Sequence, residues 1–172
     1  MMPLLLSVAI LISGLLFLVG ATYKVRWLQY ILKPGTMLLI MLLAFTGRAH
    51  SPAPLFADLM LVALGCSVVG DVLLMLEPPR FQGGVVAFMG AHVAYMAAFA
   101  AAGAAHLTPA HAVIALVVAS VLLRYCLEMA PAIRESGHGR LLGGVLLYAC
   151  VSTLMLWLAL GSLVAPGPLP FR

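Results

Sequence analysis

The chain has 172 residues, of which 65% are hydrophobic and only 8% are charged, and its mean hydropathy is +1.18. A soluble domain has about 25% charged residues, so this composition excludes a soluble globular enzyme, a coiled coil and a disordered chain. The net charge is only +4, and no basic run interleaved with aromatic residues occurs. Nucleic acid is therefore not an expected partner, and we expect an integral, multi-pass membrane protein.

Six apolar stretches approach or exceed the length that a helix needs to cross a hydrocarbon core about 30 Å thick. In chain order they are Pro3–Thr22, Lys33–Thr46, Leu55–Leu76, Gly83–Ala104, Pro109–Leu127 and Leu141–Val164. The second is short and could start earlier, near Leu28. None alternates between polar and apolar residues as the strands of a barrel would. The sequence predicts an all-α fold, a polytopic bundle of six transmembrane helices in one transmembrane domain over residues 1–172.

Basic residues predict the orientation of this bundle. The first stretch lacks a basic segment before it and a clear cleavage site after it, so we interpret it as a retained helix and not a signal peptide. The side reached after the first, third and fifth helices carries Lys24, Arg26, Lys33, Arg80, Arg124, Arg134 and Arg140, whereas the other side carries only Arg48 and Arg172. The positive-inside rule places the more basic side in the cytoplasm and the N-terminus outside. We expect a bacterial inner membrane.

Two ionisable residues lie well inside predicted helices, where insertion scales assign a charged side chain an unfavourable free energy of about 2.5–3.5 kcal/mol. Asp71 lies about one and a half turns before the end of the third stretch, and three interpretations are open for it: a functional acid, an ion ligand or an interhelical anchor. His92 lies about 13 Å into the fourth stretch, and it is interpreted either as a site residue or as a satisfied core histidine. Phe88, His92, Tyr95 and Phe99 share one helix face, although an aromatic stripe alone is more typical of packing.

Lys33 precedes Pro34 at the predicted start of the second helix. Its side chain could extend to the membrane interface or contact a lipid phosphate. In the predicted topology, Lys33 lies at the headgroups, Asp71 lies below it, and His92 and Tyr95 lie deeper. If helices that are joined by short connections are neighbours, this order of depths is the one expected of a binding site for an amphiphile.

Other charged residues and motifs indicate little additional chemistry. The sequence contains no HExxH, GxSxG, P-loop or GxGxxG motif, so we expect neither a metal nor a cofactor. Asp58 precedes Asp71 by thirteen residues, which places the two about 220° apart around a helix. Arg124 and Glu128 have the i,i+4 spacing of a surface ion pair.

The motifs around Asp71 and His92 resemble those of the YhhN family of membrane proteins, which includes the animal lysoplasmalogenases. The resemblance rests on the segment Ser67–Leu76, on Phe81, Gly84 and Phe88, and on the segment His92–Tyr95. Lys33-Pro34 is similar to the family's upstream Lys-Pro element. The family implies about eight helices and a second acidic residue in a late helix. A sequence ending at Arg172 lacks this residue, so we expect either a truncated chain or a degenerate member of the family, and the ending in a loop favours truncation.

This resemblance implies hydrolysis of the vinyl ether bond of a lysophospholipid, a lysoplasmalogen, to a fatty aldehyde and a glycerophospho-base. Asp71 would be the general acid, His92 and Tyr95 would orient Asp71 or water, and Lys33 would hold the phosphate. The expected catalytic residues are Asp71, His92 and Tyr95, and the expected substrate-binding residues are Lys33, Phe88 and Ser67.

Two other classes of function stay open at the level of the sequence. Intramembrane Asp and His residues are common in proton-coupled transporters, although no internal repeat with broken helices is evident here. In a non-catalytic lipid-binding or assembly protein, Asp71 and His92 would serve helix packing. Membrane lipids are expected partners in every case.

Overall fold

The computed structural model describes residues 2–49, 51–78, 80–102, 108–135, 137 and 142–164. These residues form the helices α1 (Met2–Thr22), α2 (Arg26–Arg48), α3 (Pro54–Met75), α4 (Phe81–Ala101), α5 (Pro109–Glu135) and α6 (Leu142–Val164). All six are long and apolar enough to cross a membrane, and no strand occurs within the described ranges. The predicted all-α transmembrane architecture is confirmed.

The largest differences from the predicted boundaries are in α2 and α5. Helix α2 begins at Arg26, seven residues before the predicted start at Lys33 and two before the alternative start near Leu28, and Pro34 lies inside the helix. Lys33 therefore lies about 10 Å along the helix axis from its first residue. Helix α5 continues past Leu127 to Glu135. In both cases the additional turns contain polar residues, and they continue the helix beyond the apolar segment that marks the hydrocarbon core.

The helices form an open row, with α2 between α1 and α3, α4 between α3 and α6, and α5 at the edge beside α6. Over the described residues, α4 packs on α6 and not on α5, its successor in the chain. The spatial order is therefore α1, α2, α3, α4, α6, α5. This order puts α3 and α4, which carry most of the predicted site residues, in the middle of the row.

Helices α3 and α4 have the most extensive contact, because small residues allow a close approach. A Cβ atom built at Gly70 of α3 would lie only 2.8 Å from the ring of Phe88 on α4. Gly84, Ala91 and Ala98 are the buried residues of α4, and their spacing of two helical turns places them along one seam. Close approach of this kind stabilises helix pairs in membranes through dispersion, where the hydrophobic effect is absent.

Charged side chains connect α2 to α3 at both ends of these helices. We call the end that contains the α1–α2 and α3–α4 connections the basic end. There Glu77 accepts a hydrogen bond of 3.2 Å from the Tyr30 hydroxyl and lies 3.7 Å from Arg26. At the opposite end Arg48 donates two hydrogen bonds to Asp58, one from Nη2 at 3.1 Å. The register between α2 and α3 is thus specified by polar contacts as well as by packing.

Candidate functional site

An ion pair between α2 and α3 is the central feature of the candidate site. Lys33 Nζ lies 2.7 Å from Asp71 Oδ1, a distance typical of a charge-assisted hydrogen bond. Asp71 is 6% exposed, whereas 38% of the Lys33 side-chain surface is accessible. An intramembrane carboxylate needs such a partner, since an isolated buried charge is strongly unfavourable. Lys33 is the partner of this carboxylate within the bundle.

The structure gives Lys33 a partner that the sequence did not predict. Its ammonium group contacts Asp71, while its position at the headgroups and its contact with a lipid phosphate stay predictions. An ammonium ion at this distance stabilises the carboxylate anion. The pair thus joins a buried carboxylate of α3 to a partly exposed ammonium group of α2.

Ser67 and Tyr95 form a second link, one helical turn deeper than Asp71. Ser67 lies four residues before Asp71, on the same face of α3, and is buried. Its hydroxyl donates to the carbonyl oxygen of Ala63 at 3.1 Å, and the Tyr95 side chain lies close enough to interact with it. This contact joins α3 to α4.

His92 connects α4 to α6 and has no hydrogen bond to Asp71. Its Nδ1 lies 2.6 Å from the Phe88 carbonyl oxygen, and its Nε2 lies 3.1 Å from Ser152 Oγ. The ring also contacts Tyr148 edge-on, at a centroid distance of 5.2 Å. Of the two roles expected for His92, orientation of Asp71 has no direct hydrogen bond behind it in this geometry, and orientation of water stays a prediction. Both ring nitrogens are occupied, and the histidine is a junction between helices.

The hydrogens at this junction can be arranged in two ways. Because the Phe88 carbonyl only accepts, Nδ1 of His92 carries a hydrogen. A neutral ring then accepts from the Ser152 hydroxyl. A protonated ring donates to Ser152 Oγ, which leaves that hydroxyl to donate to the Tyr148 carbonyl at 2.8 Å. In both arrangements the hydrogen bond between His92 and Ser152 joins α4 to α6.

We expect Ser152→Ala to lower the free energy of unfolding by about 0.6–1.7 kcal/mol, the range for interhelical hydrogen bonds in membranes. The physical reason is that His92 loses its partner on α6. Ser120→Ala is a matched control, because that hydroxyl donates only to Leu116 of its own helix. Unfolding of both variants in mixed micelles by SDS titration measures the difference. Equal losses would contradict an interhelical role for Ser152.

The predicted aromatic face of α4 is divided between two neighbours. Phe88 packs on Gly70 of α3, and Phe99 lies 6.0 Å from the Phe56 ring of α3, whereas His92 faces α6. Phe88 also lines an apolar cavity of about 480 Å³. The cavity lies between α3, α4 and α6, and its walls include Leu74, Phe81, Val85, Val145 and Tyr148. A hydrocarbon chain fits the apolar lining of this cavity.

A second, polar cavity of about 330 Å³ lies at the basic end. It is lined by Phe17, Arg26, Gln29, Tyr30, Lys33, Leu74 and Met75. Sequence reasoning missed three of these residues, Arg26, Gln29 and Tyr30, because it assigned them to a connection before the second helix. The signal was available in the sequence, since together with Lys33 they have the i, i+3, i+4, i+7 spacing of one helix face.

In the described structure, the six predicted site residues therefore lie in separate contacts along the row of helices. Lys33 meets Asp71, Ser67 meets Tyr95, and Phe88 and His92 lie on α4 facing different helices. Among the described residues, no hydrogen bond or ion pair joins Asp71 to His92. The Lys33–Asp71 pair is thus separate from the contacts of His92, and the other polar contacts connect the helices around it.

Comparison with known proteins gives one family assignment. The model of the YhhN family matches residues 28–171, a segment that contains the Lys33–Asp71 pair and the α4–α6 junction. No curated protein and no solved structure matches the chain. Since the match extends over most of the sequence and includes the motifs between Lys33 and Tyr95, the chain belongs to the YhhN family.

Proposed function

We propose that the protein is a membrane-embedded lipid hydrolase resembling the lysoplasmalogenases. Its substrate would be a lysoplasmalogen, and its products a fatty aldehyde and a glycerophospho-base. The observation that carries the proposal is the Lys33–Asp71 pair, because its carboxylate is buried while its ammonium lines a polar cavity at the basic end. In the same proposal this end faces the cytoplasm, by the positive-inside rule.

The reaction needs one proton donor and one water molecule. A proton is transferred to the β-carbon of the vinyl ether, whose π electrons form the new C–H bond and leave an oxocarbenium ion. Water adds to the cationic carbon and loses a proton. The resulting hemiacetal breaks its bond to the glycerol oxygen, which takes up a proton as the aldehyde forms. No oxidant or reductant is needed, so the balance of atoms is that of a hydrolysis.

The Lys33–Asp71 pair can supply both the proton and the charge that this reaction requires. With its proton present, the pair is neutral overall, as ammonium and carboxylate. Once the proton has moved to the lipid, the pair carries one negative charge beside the oxocarbenium ion. Attraction between opposite charges is strong in a water-poor site. The pair then recovers a proton from the water that adds, so it acts first as general acid and then as general base.

The two cavities support an amphiphilic substrate. The polar cavity and the apolar cavity both include Leu74, three residues after Asp71 at the end of α3. We place the headgroup in the polar cavity and the hydrocarbon chain against Phe88 in the apolar cavity. Tyr95 and Ser67 act as positioning residues for α3 and α4, and His92 positions α4 against α6.

A reaction in D₂O tests the proposed chemistry directly. The full chain, purified in maltoside, should release aldehyde from lysoplasmenylethanolamine, and the aldehyde should carry one deuterium at carbon 2, because the β-carbon is protonated from solvent. Immediate reduction of the aldehyde with borohydride prevents later exchange, and mass spectrometry of the alcohol reads the label. The acyl analogue, which has no vinyl ether, is the control. Absence of aldehyde release would overturn the proposal.

Two alternatives predict different products in the same preparation. A small proton-coupled transporter would move the intact lipid across proteoliposomes in response to a pH gradient, with no aldehyde. A non-catalytic lipid-binding protein would bind the lipid and give neither transport nor aldehyde. Both alternatives use the intramembrane Asp71 and His92 as readily as an enzyme does, so product analysis decides between them.

A further inference from the structure

The polar cavity contains charged groups that the proposed bond cleavage does not use. Helix α2 places Arg26, Gln29, Tyr30 and Lys33 along the cavity. Glu77, in the α3–α4 connection, does not itself line the cavity but contacts two residues that do, since it accepts a hydrogen bond from Tyr30 and lies 3.7 Å from Arg26. The guanidinium group of the cavity lining therefore has a carboxylate beside it.

The two ion pairs at this cavity differ in their ability to open. Lys33–Asp71 is short and its carboxylate is buried. Arg26–Glu77 is longer than a direct hydrogen bond, and the side chains are 83% and 69% exposed. Exposed pairs of this kind contribute little to stability. Arg26 and Glu77 can therefore separate, and each can bind a ligand group of opposite charge, with little loss of stability.

We propose that this cavity is a headgroup subsite for a phosphodiester that carries a protonated amine, with Arg26 on the phosphate and Glu77 on the amine. This inference rests on the proposed function for the identity of the lipid and deepens it by naming the headgroup. A guanidinium group donates two parallel hydrogen bonds to a phosphate. The positive end of the α2 dipole lies at Arg26, since the helix begins there, and it favours the same anion.

The carboxylate of Glu77 gives the subsite its selectivity. A primary ammonium group donates hydrogen bonds to a carboxylate, whereas a trimethylammonium group has no N–H to donate. The lining also includes the rings of Phe17 and Tyr30, so the preference rests on the hydrogen bond to Glu77 and not on a lack of aromatic rings. The subsite should therefore bind an ethanolamine headgroup more tightly than a choline headgroup.

Binding of soluble headgroups to the full chain tests the subsite without any turnover. The probes are glycerophosphoethanolamine, glycerophosphocholine and glycerol 3-phosphate, titrated calorimetrically against the protein in maltoside, a detergent with neither phosphate nor amine. Glu77→Gln should weaken binding of glycerophosphoethanolamine about tenfold, the effect of losing one hydrogen bond between charged groups, and leave glycerol 3-phosphate unchanged. Glu77→Asp keeps the carboxylate and should retain part of the preference. Arg26→Gln should weaken all three probes.

Arg48→Gln is the matched control. Arg48 of α2 also pairs with a carboxylate, that of Asp58 on α3, but at the opposite end of these helices. It should leave every probe unchanged. Equal effects of Glu77→Gln on glycerophosphoethanolamine and glycerol 3-phosphate would overturn the subsite, as would an Arg48→Gln effect equal to that of Arg26→Gln. Selective binding without aldehyde release would leave the subsite standing and remove the hydrolase. Aldehyde release without headgroup selectivity would support the hydrolase and overturn the subsite.

The same headgroup occurs on a lysolipid substrate and on ordinary two-chain phosphatidylethanolamine. Each lipid is therefore used to displace glycerophosphoethanolamine from the wild-type chain. Preferential displacement by the acyl lysolipid would identify the subsite as part of the substrate site. Equal displacement would identify it as a site for a resident membrane lipid. Both results support an amine-bearing phosphodiester as the ligand, and displacement by neither lipid would contradict it.

Discussion

Replacing Asp71 by asparagine should lower aldehyde release by about 10²–10⁴-fold, the range that one general acid or base contributes to a rate. Asparagine has nearly the same size and can still accept a hydrogen bond from Lys33. It cannot share a proton with the ammonium group or hold the negative charge that stabilises the oxocarbenium ion. Turnover measured per folded protein, with folding checked by the thermal transition, separates this loss from a loss of stability.

Asp58→Asn is the matched control for this experiment. Asp58 also pairs with a cation of α2, the guanidinium of Arg48, but it lies at the other end of α3 from the polar cavity. Its replacement should leave turnover within a few-fold of wild type. Activity of Asp71→Asn within the same few-fold range would show that Asp71 is only an anchor between helices and that the proton comes from another group.

Replacing Lys33 by methionine should destabilise the bundle by about 3 kcal/mol, the low end of the range for removing one partner of a buried ion pair. The low end is appropriate because the Lys33 side chain is partly exposed, while the carboxylate that it leaves unpaired is buried. The double variant Lys33→Met, Asp71→Leu should recover most of this loss, since two apolar side chains remove the uncompensated charge. Unfolding of the two single variants and the double variant gives the coupling energy.

The same variants also separate stability from chemistry. Both Lys33→Met and the double variant should be inactive, although only the single variant should be unstable. A double variant as unstable as Lys33→Met would mean that the pair does not account for the fold around Asp71. Recovery of stability without recovery of turnover would place the pair in the reaction as well as in the packing.

The sequence by itself determined the number and type of the elements. Six apolar stretches predicted six helices because the thickness of a bilayer sets the length of an apolar helix, a property that composition reveals directly. It also singled out Asp71, because a carboxylate inside a membrane is unfavourable unless it has a partner or a function. The motifs between Lys33 and Tyr95 indicated the YhhN family, and the family match over residues 28–171 confirms it.

The sequence did not identify that partner, for a physical reason that concerns α2. The first two turns of this helix are polar because they line a cavity, whereas a hydropathy pattern assumes that transmembrane residues face lipid or apolar neighbours. The helix was therefore predicted to start at Lys33, which left the lysine at the headgroups. Seven more residues of helix place it beside Asp71.

Only the tertiary structure decided how the helices are ordered and what His92 contacts. Its partner Ser152 is sixty residues away, and α4 meets α6 rather than α5 within the described residues. Hydropathy depends on transfer from water to lipid, which is nearly the same for every arrangement of apolar helices. The order depends on close packing at small residues and on a few interhelical hydrogen bonds, and these are properties of pairs of helices that no single stretch of sequence contains.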